Sequence, residues 1–350
     1  SFLFGVALTI AGVGLITLFS ASDQNVARLW SQLSSLAFAL VLMWIVANIP
    51  PQTIARAAVP LYALGVVLLA GVALWGVSVN GSRRWLNLGF GRFQPSELMK
   101  IALPLMLAWY FQKFEGRIGW KDFALAAALI AVPVYLIKRQ PDLGTALLIG
   151  ASGFYVLYLA GLSWKVIAGL VAAAAAAAPL VWPQLRDYQR ERILTFLDPA
   201  RDPLGAGYHS SQASIALGSG GVVGKGWLNG TQTHLDFLPE RHTDFIFAVF
   251  GEEFGLIGNV VLLILYALLI GRGMMITASA STLFARLVAG AITLMFFTYA
   301  FVNMGMVSGL LPVVGVPLPL VSYGGTALIS LFIGLGILMS VQAHRKLVNT

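Results

Sequence analysis

Ten apolar runs dominate this sequence, and each comes close to the length a chain needs to cross a lipid bilayer. They are Phe2–Phe19, Leu29–Ala47, Val59–Val77, Leu98–Phe111, Phe123–Ile137, Leu143–Leu159, Trp164–Val181, Phe245–Ile270, Leu283–Val307 and Thr326–Val341. A membrane helix needs roughly 20 apolar residues, or about 17 at the short end, so polar flanks must complete the shorter runs. The runs are continuous and lack the period-two alternation of a barrel strand. Backbone in lipid must satisfy its own hydrogen bonds, so helices are predicted throughout. Only 10% of residues are charged while 58% are hydrophobic, against about 25% charged in soluble domains. The expectation is an all-α integral membrane protein of ten transmembrane helices, forming a single polytopic domain over residues 1–350.

One long interruption breaks this pattern. Residues 182–243, rich in Gly, Arg and Asp, form a large loop between helices seven and eight. An even number of spans puts both termini on one side of the membrane. That side carries Arg56, Lys113, Arg117, Lys121, Lys165, Arg272, Arg286, Arg345 and Lys346, nine cations against six on the short loops opposite (Arg28, Arg83, Arg84, Arg92, Lys138 and Arg139). The excess predicts cytoplasmic termini and an extracytoplasmic large loop. The chain opens directly in an apolar span, without a basic leader or small-residue cleavage site, so no signal peptide is predicted.

Charge and composition exclude several classes. The net charge of +8 is spread over short loops. That suits membrane lipids or a phosphate-bearing substrate better than nucleic acid. There is no cysteine, and the four histidines are dispersed without metal-ligand spacing. No resident cofactor is called for; a divalent cation accompanying a phosphate remains compatible with the chain, and the identity of any metal is left open.

The polar motifs fall on the predicted outer side. The large loop ends in Leu238-Pro239-Glu240-Arg241-His242-Thr243-Asp244, directly before the eighth span. Asp is a good helix N-cap, but a carboxylate at a bilayer boundary beside Arg and His is costly unless it is used. Asp236, Glu240, Arg241 and His242 crowd the same rim, where like charges raise a carboxylate's pKa and Arg241 lowers it. Asp244 is therefore the candidate general base for a sugar hydroxyl. Glu97 and Lys100, three residues apart, share one face of the fourth helix. They read as a self-neutralising pair, as a charged cavity wall, or as both. Arg83, Arg84, Lys138 and Arg139 offer cations at the outer surface. Taken alone they are interfacial anchors; converging with Lys100, they would bind a pyrophosphate.

Other features carry blander expectations. Glu252 and Glu253 lie within the eighth helix and read as buried structural partners. Residues 218–226, Gly-Ser-Gly-Gly-Val-Val-Gly-Lys-Gly, share the composition of a phosphate loop without its spacing, and the plain reading is a flexible turn. Tyr188–Leu197 has the pattern of a short surface-lying amphipathic helix. Gly255, Gly258, Ala267, Gly290 and Ala291 are small residues that would let a partner helix approach spans eight and nine, or let those spans pack on each other.

Taken together, Gln94-Pro95-Ser96-Glu97-Leu98-Met99-Lys100, Gln140-Pro141-Asp142-Leu143-Gly144-Thr145, Leu238 to Phe247, and Pro319-Leu320-Val321-Ser322-Tyr323-Gly324-Gly325 resemble the SEDS family, most closely its elongation branch. The resemblance covers essentially the whole chain. It implies a peptidoglycan glycosyltransferase that polymerises lipid II at the outer face of the bacterial cytoplasmic membrane, supporting elongation and cell shape. It also implies a class B penicillin-binding protein (a transpeptidase) as partner, with MreC and MreD in the elongation machinery. The family's essential aspartate maps onto Asp244, and its cavity charge pair onto Glu97 and Lys100.

Two other classes compete. Ten spans with internal charges and Gly/Pro-broken segments also suit a lipid II flippase or transporter, although no inverted repeat is evident and the polar motifs gather on one face. A non-catalytic scaffold for a transpeptidase would make Asp244→Ala harmless.

Overall fold

The computed structural model describes residues 2–79, 82–87, 92–140, 142–185, 187–198, 206–234, 238 and 240–345. Each of the ten apolar runs maps onto a helix, the third running two residues past its helix into a strand: α1 (Phe2–Ala21), α2 (Val26–Ala47), α3 (Pro51–Trp75), α4 (Pro95–Lys113), α5 (Trp120–Arg139), α6 (Leu143–Leu159), α7 (Trp164–Val181), α11 (Ile246–Ala278), α12 (Leu283–Val307) and α13 (Gly325–Ala343). Eight are long and apolar enough to cross a membrane unaided. Of the other two, α6 is short at 17 residues and α4 carries Glu97 and Lys100 in its opening turns. The chain is thus a multi-pass, all-α membrane protein.

Local chemistry sets the helix ends. Asn25, Asp142 and Thr282 cap α2, α6 and α12 by accepting backbone N–H groups from Arg28, Thr145 and Ala285. Pro51 and Pro95 open α3 and α4, where a missing N–H costs nothing. The core lies on α12 and α13, at 67% and 61% buried, together with α4, most of whose residues are buried. α12 packs against α4, α6 and α11, while α13 packs chiefly against α2. By contrast, α7 is only 6% buried and presents nearly its whole circumference outward.

Between α3 and α4 the structure adds a small antiparallel sheet that the apolar pattern did not foretell. It comprises β1 (Val77–Val79), β2 (Ser82–Asn87) and β3 (Arg92–Phe93), in that order. The sequence signal was present: Asn80-Gly81, the strongest hairpin dipeptide, sits between Val77-Ser78-Val79 and the β2 sequence. Within 182–243 lie a 3₁₀ turn, then α8 (Asp187–Leu197), α9 (Ala206–Ser219) and α10 (Thr231–His234). α8 coincides with the expected amphipathic helix.

At 33 residues, α11 is broken at Gly255, where φ is 64° and ψ is −162°. The Gly-rich segment fills the break. Lys225 N–H and Gly226 N–H donate to the carbonyls of Glu252 and Glu253, at 3.0 and 2.9 Å. Leu256 N–H and Ile257 N–H donate to Gly221 and Val222, at 2.9 and 3.1 Å. Two carbonyls and two N–H groups at the break thus find partners, as burial demands. A Cβ on Gly224 would sit 2.1 Å from the Glu253 carbonyl oxygen. The expected flexible turn is therefore corrected: Gly220 and Gly224 let backbone touch backbone, and the segment is hydrogen-bonded into the helix break.

Candidate functional site

Asp244 stands at the threshold of α11, half-buried. It does not cap the helix; Phe245 occupies the cap position without a side-chain bond. Instead the backbone around Asp244 is clamped to the irregular segment 308–324 that joins α12 to α13. Asn303 Nδ2, fully buried on α12, donates to the Asp244 carbonyl at 2.8 Å and to the Val316 carbonyl at 2.7 Å. Ser322 Oγ donates to Thr243 O at 2.7 Å, and Tyr323 N–H donates to His242 O at 2.9 Å. Three successive carbonyls are thereby fixed, which fixes the direction in which the Asp244 side chain leaves the backbone. A Cβ on Gly315, whose φ is 73°, would lie 3.2 Å from Asp244 Oδ2, so the carboxylate rests against bare backbone there.

Segment 308–324 is itself anchored. Tyr266 Oη donates to Pro319 O at 2.6 Å, Gln32 Nε2 donates to Ser322 O at 3.3 Å, and Ser322 Oγ accepts from Leu318 N–H at 2.8 Å. Val316, Leu318, Leu320 and Val321 are all buried. Non-helical backbone survives within a membrane domain when protein surrounds it in this way.

Glu97 and Lys100 form a buried ion pair, Nζ to Oε1 at 2.6 Å, with side chains only 8% and 5% exposed. Ser330 of α13 donates to Glu97 Oε2 at 2.7 Å. Lys100 Nζ also lies 5.1 Å from the centre of the Tyr299 ring. Tyr299 and Asn303 are four residues apart on α12, hence on one face and about one 5.4 Å turn apart. Ser330, Glu97, Lys100 and Tyr299 are thus linked by contact, and Tyr299 shares a helix face with Asn303, which holds the Asp244 carbonyl.

The surface cations divide. Arg84 Nη1 pairs with Asp142 Oδ2 at 3.4 Å, and Gln94 Nε2 donates to the same oxygen at 3.5 Å. Lys138 and Arg139 are exposed at the end of α5, close in sequence to Asp142, and Arg139 lies over the Tyr135 ring. Arg83 belongs to β2, but its side chain lies outside the described residues, as do Asp236 and Pro141. Lys100 lies against the Tyr299 ring, and its ammonium is already matched by Glu97.

Around the motif, Arg241 donates to Asp23 Oδ2 and to Thr233 O, tying the end of α1 to the loop. Thr243 Oγ1 donates to Glu240 Oε2 at 2.9 Å. Burial and the nearby Arg28 hold His242 below the ordinary histidine pKa, against the opposing pull of Glu240. A polar cavity of about 510 Å³ opens between Asp23, Asn25, Arg28, Glu240, Arg241 and His242. Glu252 and Glu253 do structural work. Glu252 accepts from Lys225 Nζ at 2.7 Å, Gln232 N–H at 2.9 Å and Thr233 N–H at 3.2 Å; Glu253 accepts from Ser20 Oγ and Leu228 N–H. Among the described residues, no group of three or more His, Asp or Glu side chains converges as a metal site would require.

Residues 1–347 match the model of the cell cycle protein family that unites FtsW, RodA and SpoVE. The chain belongs to this family. The peptidoglycan glycosyltransferase MrdB of Escherichia coli K12 is 50% identical over 345 residues, covering 98% of this chain and 93% of that protein. The protein of the same name in Helicobacter pylori 26695 is 40% identical over 316 residues, 88% of this chain and 81% of its own length. Among solved structures, a chain from a peptidoglycan synthase complex that coordinates polymerization and crosslinking superposes with a TM-score of 0.86 at 36% identity, covering 99% of this chain and 98% of that one. The rod shape determining protein RodA of Thermus thermophilus gives 0.74 at 32% identity, covering 98% and 96%.

In this FtsW/RodA/SpoVE chain, sequence reasoning did not single out Asp142, Tyr299, Asn303 or Ser330. Asn303 carried a signal, being an uncharged amide inside an apolar span, which is a residue that needs a buried partner. Asp142 stood in a motif that marked the family, but its pairing with Arg84 depends on the β1–β2 hairpin. Of the small residues on α11 and α12, Gly290 packs against Leu159 and Thr277, Ala291 is fully buried and Gly255 forms the helix break. Only Ala267 among the five lines the apolar groove of about 730 Å³ between these helices.

Proposed function

We infer that this chain is a peptidoglycan glycosyltransferase that polymerises lipid II into glycan strands during cell elongation. The observation carrying this reading is the 50% identity to the E. coli enzyme across 98% of the chain. The donor sugar is α-linked to a polyprenyl pyrophosphate, and the product linkage is β-1,4. Inversion calls for one in-line displacement, so a single base suffices, unlike the paired carboxylates of glycosidases. Asp244 accepts the proton of the attacking 4-hydroxyl as that oxygen bonds to the anomeric carbon, and the pyrophosphate departs with the bonding electrons. The clamp on residues 242–244 supports this role, because a base must be held in direction as well as in protonation state.

Arg84, Lys138 and Arg139, with Arg83, meet the charge on the leaving pyrophosphate. Lys100 contributes positive potential from beneath, balanced at rest by Glu97. A divalent cation would enter with the pyrophosphate rather than occupy a protein cage. The Asp244 face is extracytoplasmic, the termini are cytoplasmic, and the membrane is the bacterial inner membrane; residues 182–243 form the outer loop. The charge asymmetry of the loops supports this orientation.

The partner is a class B penicillin-binding protein whose single membrane helix lies in the groove beside Ala267, Tyr266, Phe297 and Phe301. MreC and MreD would complete the elongation assembly. Purified protein incubated with lipid II, with and without the transpeptidase, tests the reading: polymer is expected. Translocation of labelled lipid II in liposomes without any polymer would replace it with a flippase.

A further inference from the structure

A second cavity, with cationic and apolar walls, lies at the opposite end of the helices from Asp244. It occupies about 270 Å³ where the start of α3, the end of α4 and the start of α12 meet, and it is lined by Gln52, Arg56, Trp109, Gln112, Lys113 and Thr282 among others. Nothing in the glycosyltransferase reading uses it.

Its charged groups have one sign. Arg56 and Lys113 are cations, no carboxylate lines the cavity, and among the described residues neither cation is ion-paired. Gln112 Oε1 is already engaged, accepting Phe284 N–H at 3.1 Å, so the amide can offer the cavity only its N–H₂ donors. Thr282 Oγ1 accepts Ala285 N–H at 3.2 Å and keeps its O–H to donate. Lys113 Nζ lies 5.3 Å from the Trp109 ring centre, a contact that positions the ammonium without consuming its N–H donors. Two unpaired cations, two amides and a hydroxyl thus line the cavity, with the acceptor atoms of Gln112 and Thr282 turned to backbone, which is the chemistry of an anion site.

Position narrows the anion. Trp109 is half-buried near the end of a membrane helix, the depth at which Trp rings sit among headgroups. Val59, about one turn further along α3, is exposed on the apolar side. We propose that this cavity binds a phosphate group, specifically the phosphodiester of an anionic phospholipid whose acyl chains run along α3. In the orientation proposed above, the lipid belongs to the cytoplasmic leaflet.

The test is native mass spectrometry of the full chain released from micelles containing equal amounts of phosphatidylglycerol and phosphatidylcholine. Retained phosphatidylglycerol should exceed phosphatidylcholine by roughly tenfold, the scale that two interfacial cations supply. Arg56→Gln with Lys113→Gln should bring the two lipids near parity. Arg117→Gln with Lys121→Gln removes the same charge from the same face outside the cavity and should leave the preference intact. Millimolar inorganic phosphate should not displace the lipid. Equal retention of both lipids by the native chain, or a preference that survives the first pair of substitutions, overturns the proposal. So does equal loss with the control pair, which would mean bulk charge alone. Displacement by inorganic phosphate would overturn the lipid source and identify a soluble phosphate instead.

Discussion

Removing one member of the Glu97–Lys100 pair should cost far more than removing both charges together. The pair is 2.6 Å apart with side chains 5% and 8% exposed. Lys100→Met leaves Glu97 with Ser330 as its remaining hydrogen-bond donor, and an uncompensated buried charge of this kind costs about 3–5 kcal/mol. Glu97→Gln strands Lys100 against the Tyr299 ring, with a cost of about the same size. Combining Glu97→Gln with Lys100→Met removes both charges at nearly constant volume, and such replacements are often close to neutral. The double variant should therefore be more stable than either single one, with a coupling energy of about 3 kcal/mol or more. SDS titration in mixed micelles, followed by tryptophan fluorescence, gives the four unfolding free energies of the cycle. Additive single effects would refute the reasoning, because they would mean that water or lipid headgroups already screen the pair.

Three further outcomes follow from the same structure. Asn303→Leu removes both donors that hold Asp244 O and Val316 O; it should lower kcat for polymerisation and raise amide exchange in residues 314–318, at about 1–3 kcal/mol per stranded carbonyl. Gly224→Ala combines a φ of 81° with a Cβ 2.1 Å from the Glu253 carbonyl oxygen; it should destabilise by at least about 1–2 kcal/mol in the same SDS titration and loosen the α11 break. His242, held below its ordinary pKa of 6.5, binds its proton less readily when folded than when unfolded. Its contribution to stability is therefore intact at neutral pH and declines as pH falls through 6.5 toward the lower folded value. Unfolding midpoints between pH 5 and 7.5 should show this decline, and His242→Gln should flatten it.

How much was legible in the sequence depended on the range of the interaction. The apolar runs foretold the eight helices long and apolar enough to cross a membrane among the described residues, because lipid forces a local solution to backbone hydrogen bonding. Asp244, Glu97 and Lys100 stood out in the sequence because charge at a membrane boundary is costly, and the pairing of Glu97 with Lys100 followed from their three-residue spacing. The clamp was not. Asn303 reaches back 59 residues to Asp244 and forward 13 to Val316, and Ser330 reaches Glu97 across 233; no periodicity encodes such pairings. The break at Gly255 was hidden for a different reason: a lone glycine is tolerated in an apolar helix, and only insertion of residues 221–226 shows that this one ends a helical segment. Gly290 and Ala291 show the converse ambiguity, since small residues permit close approach by a neighbour of either origin, and here the neighbours are Leu159 and Thr277 of the same chain.

The central claim is that the Asp244 carboxylate is the base. Asp244→Asn preserves size, polarity and the backbone bonds from Asn303, while removing basicity. Purified with the proposed transpeptidase partner and given lipid II, the variant should fold with native stability and polymerise about 10² to 10⁴-fold more slowly than the unaltered chain. Polymerisation by the folded variant at the native rate would contradict the account.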